Sequence, residues 1–161
     1  MLDPQMVAYL KTVTAYNNLI SGRIHPDRLP DRPVLPATVY QRVSAPRDAA
    51  YDGPLGLNWA RYQFDVWALT RAEARAVARE LSRAMLGFSG FMGVSQVAIP
   101  SQPQAIDMYE TETGYYRVMS EYIIWHTDDD LPDPDPEPEP EPEPGDGDGN
   151  GDGDGDGDGD G

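Results

Sequence analysis

The chain of 161 residues contains no cysteine. That excludes disulfides, thiolate metal sites and cysteine nucleophiles. It also has no long apolar run, and nothing in it approaches the ~18–20 residues needed to span a bilayer. The first twenty residues carry Asp3, Pro4, Gln5, Lys11, Asn17 and Asn18 where a signal peptide would have its apolar core. The chain therefore reads as soluble, without a membrane partner and suited to a reducing compartment. Histidine is scarce: His25 and His126 are the only two, with no H-x-x-x-H or H-E-x-x-H spacing for a metal. No serine lies in a G-x-S-x-G elbow, and the glycine-spaced "GFSGFMG" lacks the Lys-Ser/Thr of a phosphate-binding loop. Asp65 with Asp107, Glu110 or Glu112 supplies the available carboxylate pairs, but acids on strands and turns are ordinarily just solvated. The expectation is no enzyme: no catalytic residue, no metal and no cofactor.

Negative charge is present in excess, and it is concentrated in one place. All twelve Lys and Arg fall between Lys11 and Arg117, and residues 1–127 hold twelve acids, so that part is formally neutral. The remaining sixteen of the 28 acids lie in 128–161 and account for the whole net charge of −16. Two regions follow: a folded domain over 1–127 and an acidic C-terminal tail over 128–161, expected to be disordered. From Pro132 to Pro144 proline alternates with Asp or Glu, a pattern that favours an extended polyproline helix. A Gly-Asp repeat broken by Asn150 follows. "DGDGNG" at 146–151 matches the first half of an EF-hand loop, but Gly157 stands where the bidentate Glu belongs. A solubilising or spacer tail is the simple reading. A docking tail for a basic partner, or a strip that repels DNA, competes with it.

Along the first 127 residues the pattern alternates between helix and strand. Asp3-Pro4 reads as N-cap and first position of a helix that buries Met6, Leu10, Val13 and Ile20 and ends at Ser21-Gly22. Residues 23–36 hold four prolines and predict an extended loop. "ATVYQRVSA" (37–45) predicts a strand, and "APRDAAYDGPLG" a long turn. Thr70 and Glu73 form a T-x-x-E capping box that opens a helix running to about Met85, with Ala74, Val77, Ala78, Leu81 and Met85 as its buried stripe. Arg71, Arg75, Arg79 and Arg83 recur on its outer flank. "GFSGFMG" reads as a loop, "VSQVAIP" and "PQAIDMYE" as two short strands, "TETG" as a turn, and "YYRVMSEYIIWHT" as a last long strand. The fold class is α+β: an antiparallel β-sheet with two helices packed on one face.

One strand has two unlike faces. Ala60, Tyr62, Phe64, Val66 and Ala68 point one way and predict core, while Trp59, Arg61, Gln63, Asp65 and Trp67 point the other. The second set is a polar stripe bracketed by indoles, which suits a subunit contact: aromatics supply area at low entropy cost and charges fix register. The alternative is a stripe covered by helices within the subunit. Eleven arginines against one lysine also suit interfaces, although coding bias produces the same ratio. With the acids interspersed among these arginines, sequence-tolerant DNA binding should be weak.

Three stretches taken together, "GRIHPDRLPDRPVLPATVYQRVS", "YDGPLGLNWARYQFDVWALTRAEARAVARELSRAMLGFSG" and "DMYETETGYYRVMSEYIIWH", resemble the tail-completion, or tail-terminator, family of long-tailed bacteriophages and prophages. The match runs in order over roughly residues 5–127 and leaves the acidic tail outside it. The resemblance implies a structural virion protein. It would assemble as a ring, typically a hexamer, that caps the head-proximal end of the tail tube, stops tube polymerisation and gives the head connector a joining surface. Its partners would be copies of itself, the tail tube protein and the head-side connector or stopper, with DNA passing through the lumen without specific binding. It would act in the virion tail or neck after assembly in the host cytoplasm. The family brings no catalytic residue and no cofactor. Two other readings stay open: a neck or head-completion (stopper) protein, and a soluble binding module whose acidic tail sequesters a basic partner.

Overall fold

Three consecutive β-branched residues, Thr12-Val13-Thr14, interrupt the first helical stretch, because such side chains lose rotamer freedom against the preceding turn. In the computed structural model, which describes residues 2–44 and 57–127, the break falls at Val13, whose backbone is extended (φ −74, ψ 96). The one helix expected from sequence is therefore two, α1 (Leu2–Thr12) and α2 (Thr14–Ile20). The break resets the phase of burial. Leu2, Met6 and Leu10 share one face of α1, and six residues past Leu10, where an unbroken helix would point elsewhere, Tyr16 is buried instead. Its hydroxyl donates to Thr38 Oγ1 at 2.8 Å, which gives the buried phenol a partner. Asp3 lies inside the first turn of α1 rather than at its cap, and pairs with Arg42 at 3.7 Å. Ser21 (φ 49) and Gly22 (φ 73) close α2 in the left-handed conformation.

The remaining elements are β1 (Ile24–Pro26), β2 (Ala37–Ser44), β3 (Leu57–Ala68), α3 (Arg71–Met85), β4 (Ser89–Met92), β5 (Ser95–Glu110) and β6 (Tyr115–Thr127). They form a six-stranded sheet in the order β1-β2-β3-β6-β5-β4. Every neighbouring pair is antiparallel except β1 with β2. That exception corrects the reading of 23–36 as loop throughout. Ile24–Pro26 pairs parallel with Thr38–Tyr40, and the proline is tolerated because β1 is an edge strand.

"GFSGFMG" is likewise not a loop. Ser89–Met92 pairs with Ser95–Ala98 through a tight hairpin at Gly93 (φ 64). A Cβ on Gly93 would lie 2.9 Å from the Gln5 side chain, whose Oε1 accepts the Ser95 amide at 3.0 Å, so the hairpin is seated on α1. The two short strands expected over 94–110 are one strand, β5. Its register shifts between Ala98 and Gln104, where Pro100 and Pro103 remove ladder donors. The turn expected over 45–56 and the acidic tail over 128–161 lie outside the described residues.

All three helices pack on one face of the sheet. Ala60, Tyr62, Phe64, Val66 and Ala68 of β3 are fully buried there beside Tyr122 and Ile124 of β6. The helices contribute Leu2, Met6, Leu10, Tyr16, Ile20 and the predicted α3 stripe, Ala74, Val77, Ala78, Leu81 and Met85. Thr70 caps α3, its side chain accepting the Glu73 amide at 3.2 Å. The fold is thus α+β.

Candidate functional site

The second face of the sheet carries no helix among the described residues. Strand alternation puts Trp59, Arg61, Gln63, Asp65 and Trp67 on it. The antiparallel register then sets Trp125, Ile123, Glu121, Met119 and Arg117 of β6 directly beside them, one for one. The predicted stripe is therefore one row of a wider sheet face, with Val39 and Gln41 of β2 on its other side, and no helix among the described residues covers it.

The surface divides along its length. At one end the Asp65 carboxylate is buried and accepts from Arg117 Nε at 2.8 Å on Oδ1 and from Gln63 Nε2 at 2.9 Å on Oδ2. Arg117 also reaches Glu110 at 3.3 Å and stacks over the Trp67 ring at 5.1 Å. Burial disfavours the charged guanidinium, but hydrogen bonds and charge from Asp65 and Glu110 outweigh it and raise the Arg117 pKa further. The Pro-rich segment rims this end: Arg28, Pro30 and Pro33, with Tyr115 opposite, border a groove of about 440 Å³ whose floor includes Asp65, Trp67 and Arg117. At the other end Trp59 and Trp125 lie with ring centres 6.2 Å apart, and Trp125 is exposed. Arg61, exposed, pairs loosely with Glu121 at 3.8 Å.

The five candidate residues thus share a face but not a role. Asp65 is spent on an internal ion pair and Trp67 on stacking, whereas Trp59 and Arg61 stand at the end left open. The sequence reading missed Arg117, Glu121 and Trp125. Their signal was the odd-numbered parity of "YYRVMSEYIIWHT", which matches that of the β3 stripe once the two strands are paired.

The carboxylates considered for acid-base work do not form a common site, and the two that approach each other do so on an arginine. Asp65 and Glu110 both engage Arg117, while Asp107 sits on the helix side between Arg71 and Arg75. Glu112 is exposed in the turn after β5. His25 lies on the edge strand β1, and His126 is buried near the end of β6, its Nδ1 3.4 Å from the Thr127 carbonyl. Among the described residues no three His, Asp or Glu side chains group to hold a metal.

The family model described as "Tail completion protein gp17" matches residues 4–127 and stops short of the acidic tail. Among solved structures, a chain of the "Virion of native gene transfer agent (GTA) particle" superposes with a TM-score of 0.57 at 16% sequence identity. The alignment covers 76% of this chain and 92% of that one, and it shows a shared fold. No curated protein matches the chain.

Proposed function

The chain belongs to the Tail completion protein gp17 family, structural proteins of phage-type tails, and from that premise we propose that it closes as a ring on the head-proximal end of the tail tube. In this reading the ring, a hexamer, stops further tube polymerisation and offers a joining surface to the head-side connector. It works as a shape, by contacts and without catalysis. The DNA passes through the lumen without being specifically bound. The observation that carries the reading is the family match over residues 4–127, and the one-sided architecture supports it. A sheet with helices on one face and a bare aromatic and charged face on the other is suited to contact with a neighbour. A ring that closes by heterologous contacts needs two different surfaces on each subunit.

Trp59, Arg61 and Trp125 are the contact residues we assign to the neighbour or to the tube, with Gln63 at their margin. Asp65 and Trp67 shape that face from within. The fold shared with a virion chain supports a place in the virion; assembly in the host cytoplasm belongs to the same proposal.

Electron microscopy of particles made without this protein tests the reading. A terminator's absence gives overlong tails and unjoined heads. Tails of normal length with leaking heads would assign the chain to the stopper position instead. A second test is Trp59→Ala with Arg61→Ala in folded protein, read by native mass spectrometry or by length control of tubes. Unchanged rings and unchanged tails would refute the assigned contact.

A further inference from the structure

The outer face of α3 is a ladder of four arginines that the fold leaves incompletely paired. Arg71, Arg75, Arg79 and Arg83 recur every fourth residue along about 18 Å of helix. Their side chains are 60%, 58%, 65% and 68% exposed. Two carboxylates serve all four: Asp107 meets Arg71 and Arg75, and Glu80 meets Arg79 and Arg83. A guanidinium has five donors in a fixed fork, so most of the ladder's hydrogen-bonding capacity faces solvent.

The same chain carries its complement. Residues 1–127 hold twelve acids and twelve bases, and residues 128–161 hold sixteen acids and no base. We propose that the acidic segment 128–161 of this chain docks along the arginine ladder of α3, in the same copy or in a neighbouring one. The reach is sufficient. The segment leaves the fold at Thr127, and its 34 residues extend to about 110 Å at full stretch, several times the length of the ladder. Polarity helps at one end, because Arg71 opens α3, where the positive end of the helix dipole also favours an acidic segment. Contacts of this kind are individually weak and sum along a strip, so docking is salt-sensitive and tolerant of register. Its consequence is that the one ordered row of arginines on the helix layer is shielded from other polyanions, including DNA. The inference stands independently of the ring reading.

The cysteine-free sequence allows a direct test on the full chain. Asn150→Cys places a single thiol in the acidic segment, to carry a benzophenone maleimide, and photocross-linked peptides are located by mass spectrometry. Cross-links should concentrate on α3 at 0.05 M salt. They should fall roughly tenfold in 0.5 M salt and in the Arg71→Gln, Arg75→Gln, Arg79→Gln, Arg83→Gln variant, whose fold circular dichroism confirms. Cross-links spread over the surface, concentrated on another element, or unchanged in that variant would overturn the proposal. Duplex DNA added at 0.15 M salt should leave them in place. Displacement of the segment by DNA would show that docking does not shield the ladder and would overturn that consequence.

Discussion

On β3 and β6 the even-numbered side chains (Tyr62, Phe64, Val66, Val118, Tyr122 and Ile124 among them) vanish beneath three helices, while the odd-numbered ones carry indoles and charges on a face that no helix among the described residues covers. The two faces are made of the same strands, so neither backbone geometry nor strand propensity distinguishes them. They differ in what each side chain can exchange for water. On the helix side apolar groups meet apolar groups, and stability comes from area and packing. On the bare side, charges meet charges and rings lie half-covered, an arrangement that suits a contact surface. In the proposed reading, a subunit that is stable alone and adhesive to a neighbour keeps these tasks on opposite faces of one sheet. Substitutions on the helix side should therefore damage the fold, and those at the open end should damage assembly.

The largest expected effect is on the covered face. Phe64 is fully buried and meets the Tyr122 ring edge-on at 5.6 Å. Phe64→Ala should destabilise the protein by about 3–5 kcal/mol, from lost transfer energy and the cavity left behind. Denaturant unfolding measures it, and a loss below about 1 kcal/mol would mean that the helix layer does not hold the fold.

Next comes Asp65, which breaks the simple division because it lies on the bare face yet is buried. Asp65→Ala leaves Arg117 under the Pro-rich segment with only Glu110 and the Trp67 ring. The expected cost is about 2 kcal/mol, most of it the penalty of a half-buried charge that has lost its main partner. The double variant with Arg117→Ala should cost less than the two single changes summed, since the pair is coupled. Additive losses would show that Asp65 acts on its own.

How much of this was visible beforehand depends on the distance between the residues involved. The core parity of β3 and the stripe of α3 were legible because each is set by spacing within one element, by twos and by 3.6. The family was legible too, from three quoted stretches. The break at Val13 was not, although Thr12-Val13-Thr14 stood in the sequence, because an apolar residue at position 13 also fits an unbroken stripe. β4 was hidden by its glycines, which mark loops more often than hairpin strands. Asp65 with Arg117, and Trp59 with Trp125, are joined only when β3 lies against β6. Nothing local at residue 65 announces a partner 52 positions away. The stripe therefore read as one uniform surface, and the engagement of Asp65 and Trp67 with Arg117 shows only once the strands are paired.

Trp59 tests the open end. It lies against Trp125 without being buried, so Trp59→Ala should cost only about 1 kcal/mol in unfolding. Its effect on assembly should be disproportionate: loss of ring formation or of tail-length control at nearly unchanged stability. A drop of about 3 kcal/mol with assembly intact would place Trp59 with the core and erase the contrast between the faces.

The smallest expected effect sits at the rim of the helix side, where Asp107 of β5 accepts from Arg75 Nε at 2.6 Å and from Arg71 Nη2 at 3.2 Å, tying α3 to the sheet. Partial burial pushes the Asp107 carboxyl up, but the hydrogen bonds and charges of Arg75 and Arg71 outweigh it and hold its pKa below the ordinary aspartate value. A carboxyl with a folded pKa lower than its unfolded one stabilises the fold in full above the unfolded value, near pH 4. That stabilisation is lost as pH falls through the folded value. Because both guanidiniums are more than half exposed, solvent screening limits the contribution to less than about 1 kcal/mol. Asp107→Asn should therefore lower stability slightly at pH 7 and flatten the decline between neutral pH and pH 3, without touching assembly. A variant whose acid sensitivity matched that of the parent would remove Asp107 as the tie between α3 and β5, and packing alone would then account for the helix layer's adhesion.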